Sequence, residues 1–372
     1  MKVAVIKLGS RISVSSTGTS GGTGETLSII KILTTAGVDV DAYTKVLSKD
    51  ETPKDFKVYN IEDEYTNINS REYDALIILN GNVNYFGGVD DPAQTLNYHV
   101  INHFEGKVFY VMCDCNLLLK QIWPGVKKKK WGNNYKEEDI LITRDDIVYI
   151  SQARFTHKVK EKAKKYAPIK DVVYFPFEKF PLLTMKEFPF NENTSYDLLY
   201  GGTFRGGRRE DDMVKYYFGY DLQFKVEMFG NISLDNFDFK KIENKRQPEF
   251  GKSVEYDKFG EKMAEANATV IIGDQLYKSW GDLAQRIYES IIIGNVVLID
   301  SSYDFQKKVF SNDELKKFCY VSSVKEVEDR LLKIRDRNFR KHIVDLQRAD
   351  TYVNIELYSK GLRKIIEENL NA

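Results

Sequence analysis

Short apolar runs alternate with amphipathic stretches along most of the chain. Val3 to Leu8 reads as a buried strand, a Ser/Gly/Thr loop runs from Gly9 to Gly24, and a helix is predicted from Thr26 to Ala36 with Gly37 as its stop. Further strands are predicted at Val38–Tyr43, Ala75–Asn80, Lys107–Met112, Ile147–Ser151 and Asp171–Phe175, with helices between them that include Pro92–Phe104 and Phe155–Lys165. Strands alternating with helices predict a mostly parallel, doubly wound sheet, whose ligands bind beyond the carboxyl ends of its strands. Between Phe177 and Ser195 the periodicity fades and prolines, asparagines and phenylalanines collect, which reads as a crossing between domains.

The pattern then repeats. Strands are predicted at Asp197–Tyr200, Lys225–Phe229, Thr269–Gly273 and Val296–Asp300. Helices are predicted at Tyr256–Ala266, Leu283–Ile293, Val324–Arg335, Phe339–Arg348 and Asn354–Leu370. A length of 372 residues fits two such domains. Lys+Arg and Asp+Glu are equal at 55 each, so any nucleic-acid surface has to be a local patch. Three cysteines, Cys113, Cys115 and Cys319, cannot all pair and sit in apolar, strand-like runs, which favours a reducing compartment. No run approaches the roughly 18 apolar residues of a membrane span, and the short apolar start is no signal peptide. His99 and His103 form a helical i,i+4 pair that nothing nearby completes into a zinc site.

Chemistry concentrates after the strand at Leu198–Tyr200. Gly201-Gly202 and Gly206-Gly207 precede a helix-favouring stretch from Arg209 to Tyr217, and Arg205, Arg208 and Arg209 lie in or beside the turn. A strand, a glycine loop and a helix start make an anion site, and guanidinium forks suit phosphate oxygens, although an exposed turn with surface arginines has the same composition. Arg286 and Glu289 are three apart and share one helix face, as a solvated salt bridge or as a phosphate and ribose clasp. Asp114 follows the strand Val108–Met112, as a loop cap or as a base whose pKa is raised in a dry cleft. Lys127, Lys128, Lys129 and Lys130 stand between Trp123 and Trp131, a solvated loop or a DNA contact. Asp39-Val-Asp41 has the Asp-x-Asp form that holds metal-bound diphosphates, but within a strand its carboxylates share one face and are expected to point at solvent.

The segment Tyr200–Glu210 resembles the nucleotide-sugar loop of the DNA β-glucosyltransferases of T-even-like bacteriophages, which glycosylate 5-hydroxymethylcytosine. The resemblance runs through Met1–Gly9, Asn80–Gly88, Trp123–Trp131, Tyr174–Glu178, Gly201–Glu210, Phe229–Asn231, Ile271–Asp274 and Arg286–Glu289, in order. It implies an α/β fold of GT-B architecture, two doubly wound Rossmann-like domains facing a deep cleft. The acceptor (DNA) domain is expected over 1–177, braced by a C-terminal helix over 353–372, with the crossing over 178–195 and the UDP-sugar domain over 196–352.

By the same resemblance Asp114 matches the general base, and Glu25 and Glu178 match carboxylates that orient the donor sugar. The UDP-binding set is Gly202, Thr203, Arg205, Arg209, Val254, Tyr277, Arg286 and Glu289. Asn84, Phe86, Asn116 and Lys127 to Lys130 fall on the DNA side, Asn116 replacing a family arginine. No protein side chain is expected to hold a metal, and Mg2+ or Mn2+ is expected to stimulate. The donor is UDP-glucose or, because the loop before Glu25 is longer and richer in glycine than the family pattern, UDP-arabinose. The partner is double-stranded DNA containing 5-hydroxymethylcytosine, with no membrane, and the enzyme is expected to be a monomer in the cytoplasm of the infected bacterial host. The competing readings are a non-catalytic UDP-sugar or DNA-binding protein on the same scaffold and a cell-wall or lipid glycosyltransferase.

Overall fold

The computed structural model describes residues 1–7, 21–44, 56–61, 67–69, 72–79, 100–112, 144–164, 169–202, 204–205, 209–230, 232–233, 237–254, 256–273 and 275–370. The chain divides into two compact units, Met1–Phe177 with Asn354–Ala372, and Glu178–Val353.

In the first unit the strands are β1 (Lys2–Lys7), β2 (Asp39–Thr44), β3 (Lys57–Asn60), β4 (Ala75–Leu79), β5 (Lys107–Met112), β6 (Val148–Ser151) and β7 (Asp171–Tyr174). Helices α1 (Gly21–Thr35) and α2 (Thr156–Ala163) accompany them. The sheet runs β3-β2-β1-β4-β5-β6-β7 with every pair parallel. β4 and β6 are buried along their whole length, as in a parallel sheet covered on both faces.

The second unit holds α3 (Pro181–Thr184), β8 (Tyr196–Gly201), β9 (Phe204–Arg205), α4 (Glu210–Tyr217), β10 (Val226–Phe229), β11 (Ile232–Ser233), β12 (Glu249–Gly251), α5 (Tyr256–Met263) and β13 (Ala266–Ile271). It continues with α6 (Gln275–Trp280), α7 (Arg286–Ile293), β14 (Val296–Asp300), α8 (Asp313–Cys319), β15 (Tyr320–Val321), α9 (Val324–Ile334) and α10 (Arg337–Thr351). Its main sheet runs β12-β10-β8-β13-β14-β15, all parallel, with β9 and β11 paired separately. Counted from β8, this repeats the 3-2-1-4-5-6 order of the first sheet. The order therefore reverses between β1 and β4 in one unit and between β8 and β13 in the other, the two switch points at which doubly wound sheets bind ligands.

The segment 178–195 is stitched into the second unit. Phe188 N–H donates to the Ile292 carbonyl at 3.1 Å, and the Asn191 amide donates to the Ala264 carbonyl at 2.8 Å. Arg340 and Arg348, both on α10, donate to the carbonyls of Asn191 (2.8 Å) and Phe188 (2.7 Å). The closing helix α11 (Ile355–Leu370) packs within the first unit. There Arg363 donates to the Ala36 carbonyl at the end of α1 (2.9 Å), and the Tyr358 hydroxyl donates to the Pro176 carbonyl (2.6 Å).

Several sequence expectations change. The helix expected to reach Ala266 stops at Met263, because Ala266 already pairs with Tyr196 as the first residue of β13. The helix expected from Leu283 begins at Arg286, and the buried Leu283 belongs to the turn before it. Cys319 ends a helix rather than lying in a strand: Asn312 caps α8 by accepting from the N–H groups of Glu314 and Leu315. Burial pushes the Cys319 thiol up to about 12. Asp41 does not face solvent, since it is 4% exposed and accepts the Tyr73 hydroxyl at 2.6 Å, with Lys2 Nζ at 3.5 Å. Cys113, Cys115 and His99 lie outside the described residues. No helix among the described residues is long and apolar enough to cross a membrane.

Candidate functional site

At the switch point of the second sheet, β8 ends in Gly201, and the next residue, Gly202, turns back to donate its N–H to the Phe229 carbonyl at 3.0 Å. Gly202 has φ +153° and Gly230, at the end of β10, has φ +128°. A Cβ on Gly230 would fall 2.1 Å from the Gly202 carbonyl oxygen, so two backbones approach here as only glycine permits. Gly230→Ala is expected to destabilise the protein by roughly 2–4 kcal/mol, read as a lower urea midpoint at unchanged slope.

The turn rests on aromatic rings. A Cβ on Gly201 would meet the Phe259 ring at 2.7 Å, and Phe259 packs against Phe229 with centroids 5.5 Å apart. On the same Phe259 ring lies the Arg286 guanidinium, 3.9 Å from the centroid. Arg286 opens α7, and its Nη1 is 3.1 Å from the Glu289 carboxylate one turn on. Glu289 is 6% exposed, so the pair is not the solvated surface bridge that spacing alone allows. Gly294, in the left-handed region, ends this helix by donating to the Ser290 and Ile291 carbonyls.

A second guanidinium also lies over an aromatic ring. Arg209 directly precedes α4, and its guanidinium carbon is 5.5 Å from the centroid of the Tyr277 ring on α6. Behind both lies Tyr303, which accepts the Ala284 N–H at 2.6 Å, two residues before Arg286. The Tyr303 ring packs so closely on Gly273, past the end of β13, that a Cβ there would sit 2.2 Å away. Burial pushes the Tyr303 phenol far above its usual range; the Asp282 carboxylate adds to this, the Ala284 N–H and Arg209 oppose it, and the Glu178 carboxylate adds a smaller push. Glu178 and Asp282 are themselves fully buried. The arrangement is chemically specific. Two guanidinium groups with aromatic backing and a glycine turn stand at the carboxyl edge of one sheet, which suits two linked phosphates, and a buried carboxylate one helical turn from Arg286 can accept ribose hydroxyls.

The chain is similar to known glucosyltransferases in sequence and in fold. Residues 1–181 match the family model described as bacteriophage T4 beta-glucosyltransferase. The chain is 29% identical over 350 residues to the DNA beta-glucosyltransferase of Enterobacteria phage T4, covering 93% of both chains. The structure of T4 phage BGT in complex with UDP and Mn2+ superposes with a TM-score of 0.79 at 25% identity, covering 99% of this chain and 100% of the other. The chain is similar to the T4 β-glucosyltransferase family over its first 181 residues. A mutant of T4 phage BGT in complex with UDP-glucose gives a TM-score of 0.78 at 25% identity, with full coverage of both chains. The fold is the GT-B architecture of glycosyltransferases.

Of the residues that family resemblance singles out, the structure brings Gly202, Arg209, Tyr277, Arg286 and Glu289 to one edge of the second sheet, with Glu178 buried beside Tyr303. Val254 is exposed, three residues past the end of β12, on the same edge because every strand of that sheet is parallel. Arg205 is in β9, its side chain outside the described residues, and Glu25 is in α1 with the same restriction. Asp114, Asn84, Phe86, Asn116, Lys127, Lys128, Lys129, Lys130 and Thr203 lie outside the described residues.

Sequence reasoning missed Phe259 and Tyr303, the aromatic groups on which Arg286 and the entry to its helix rest. Phe259 sits on an amphipathic helix and reads as core. Tyr303 had a usable signal: it follows Asp300-Ser-Ser just beyond a strand's carboxyl end, where loops of doubly wound sheets meet ligands.

Proposed function

We propose that the chain is an inverting glycosyltransferase that moves glucose from UDP-glucose to the hydroxymethyl group of 5-hydroxymethylcytosine in double-stranded DNA. The observation that carries the reading is that Arg209, over Tyr277, and Arg286, over the Phe259 ring that also lies against Gly201, stand at the carboxyl edge of the second sheet. Support comes from the 93% alignment with a DNA beta-glucosyltransferase and from the relatives' complexes with UDP and UDP-glucose.

In this reading Arg209 and Arg286, joined by Arg205, bind the diphosphate, Tyr277 backs it, and Glu289 accepts the ribose hydroxyls. Gly202 and Thr203 offer backbone N–H groups, and Val254 lies against uracil. The Asp114 carboxylate takes the proton of the acceptor hydroxymethyl group. The resulting oxygen attacks the anomeric carbon from the face opposite UDP, the bond from that carbon to the phosphate oxygen breaks, and the electron pair leaves on UDP. Glu25 and Glu178 orient the sugar. Arginines that meet the charge growing on the phosphate lower the barrier more than they tighten ground-state binding.

A base inside duplex DNA cannot reach a carboxylate of the protein, so the target nucleotide is flipped out. Asn84, Phe86 and Asn116 receive it, and Lys127 to Lys130 hold the backbone phosphates. Mn2+ accompanies UDP in a relative's crystal. Here Glu289, beside the proposed diphosphate, is engaged with Arg286. A divalent cation held by the donor's phosphate oxygens rather than by a protein side chain would add positive charge on the leaving group. The enzyme acts as a monomer in the cytoplasm of the infected host.

The longer Gly-rich loop ahead of Glu25 favours one variant of this reading, a pentose donor such as UDP-arabinose. Mass spectrometry of nucleosides after incubation with hydroxymethylated DNA and a panel of UDP-sugars tests both. A hexose adduct is expected from UDP-glucose. A pentose adduct from UDP-arabinose alone transfers the donor assignment to the pentose, and the absence of any adduct refutes the reading.

A further inference from the structure

A small apolar cluster, separate from the main core of the second unit, joins Leu199 of β8, Phe229 of β10, Phe259 and Met263 of α5 and Ile293 of α7. Phe259 is the member that reaches the proposed phosphate site. One face of its ring carries the Arg286 guanidinium, whose carbon lies 3.9 Å from the centroid. Its edge closes on Gly201, where a Cβ would meet it at 2.7 Å. Phe229 supports the ring from within the sheet, with centroids 5.5 Å apart and planes 35° from parallel. The carbonyl of the same Phe229 receives the Gly202 N–H at 3.0 Å. One pair of rings therefore carries both the glycine turn and the arginine.

The ring is itself held fast. Phe259 is 8% exposed, and its neighbour Gly260 admits the Phe188 ring so closely that a Cβ there would lie 2.4 Å from it. Phe188 is tied in turn to the Ile292 carbonyl on α7, the helix that Arg286 opens. Arginine has a long side chain with many rotamers, and each one still populated before binding costs affinity when the ligand selects among them. The contact of Arg286 Nη1 with Glu289, at 3.1 Å, fixes one nitrogen of the fork. The ring face fixes the group as a whole, because its negative quadrupole attracts the cation where little water competes.

We propose that Phe259 is a positioning residue of the nucleotide site: the face of its ring holds the Arg286 guanidinium in place, on the same aromatic pair that carries the Gly201-Gly202 turn, before a diphosphate arrives. The inference rests on the reading of the site as one for UDP. The ring acts through Arg286 and not on the ligand itself.

Calorimetric titration of the full-length protein with UDP and with uridine, which has no phosphate, tests it. Phenylalanines carrying one, two or three ring fluorines are placed at position 259; fluorine draws charge from the ring face and leaves its shape nearly unchanged. UDP affinity is expected to fall with each fluorine, by roughly tenfold at three, while uridine affinity and the thermal midpoint stay at the wild-type values. Phe259→Leu, which keeps an apolar group but no ring face, is expected to lose at least as much for UDP and nothing for uridine. Should that variant fail to fold, the fluorinated series carries the test alone. UDP affinity indifferent to fluorine overturns the assignment, and so do equal losses for UDP and uridine, which mean a merely structural role. If the wild-type protein itself does not bind UDP, the nucleotide reading falls and takes this inference with it.

Discussion

Replacing Asp114 by asparagine is expected to lower sugar transfer to hydroxymethylated DNA by roughly 10²–10⁴-fold, the range a general base contributes. UDP binding should stay within about twofold, because in the proposed mechanism the carboxylate acts on the acceptor proton and not on the donor phosphates. The amide keeps the size of the side chain but removes its charge and basicity and turns one acceptor oxygen into a donor. Single-turnover transfer measured beside calorimetric UDP titration separates the two effects. Parallel loss of binding and transfer would reassign Asp114 to nucleotide binding. Full retention of transfer would mean that another group removes the proton.

The second large effect is expected at Arg286. Arg286→Ala removes a guanidinium that lies 3.9 Å above Phe259 and leaves the buried Glu289 carboxylate without the partner now 3.1 Å away. Loss of one member of a buried charge pair costs about 2–5 kcal/mol in binding. UDP affinity should therefore fall by roughly two to three orders of magnitude. Arg286→Lys should recover only a small part, since an ammonium neither stacks on the ring nor offers the planar fork that meets phosphate oxygens. Glu289→Gln separates the roles further: it keeps the packing and is expected to weaken ribose recognition, so that deoxyuridine diphosphate loses less than UDP. The readout is the ratio of the two affinities in each variant.

The parts of the fold that were legible in the sequence are those whose physics is local. Parallel strands buried on both faces must be apolar throughout, and Ala75–Leu79 and Val296–Asp300 announce themselves for that reason. Helix stops at Gly37 and Gly294 are legible because only glycine adopts the left-handed turn cheaply, and both have positive φ. The edge strands of the second sheet were invisible. Glu249–Gly251 exposes two of its three residues, and Tyr320–Val321 is two residues long, so neither has a period to detect.

The candidate site was legible to a different degree. Glycines and arginines marked the switch point because their chemistry is unusual for a strand end. What supports them depends on contacts across long sequence separations, such as Phe259 with Arg286 and the Tyr303 hydroxyl with the Ala284 N–H. Asp41 illustrates the same limit from the other side: its strand period is right, but its burial is decided by Tyr73, which only the folded sheet brings near. A charged side chain read from sequence looks solvated until its partner is known.

The central claim is that the second unit binds a nucleoside diphosphate at the carboxyl ends of β8 and β13. The most direct measurement is a crystal structure of the protein grown with UDP. The account predicts density for the diphosphate against the Gly201-Gly202 turn, within hydrogen-bond reach of the Arg209 and Arg286 guanidinium groups, and for the ribose hydroxyls on Glu289. Well-ordered UDP bound elsewhere, with these two arginines turned away from its phosphates, would contradict it.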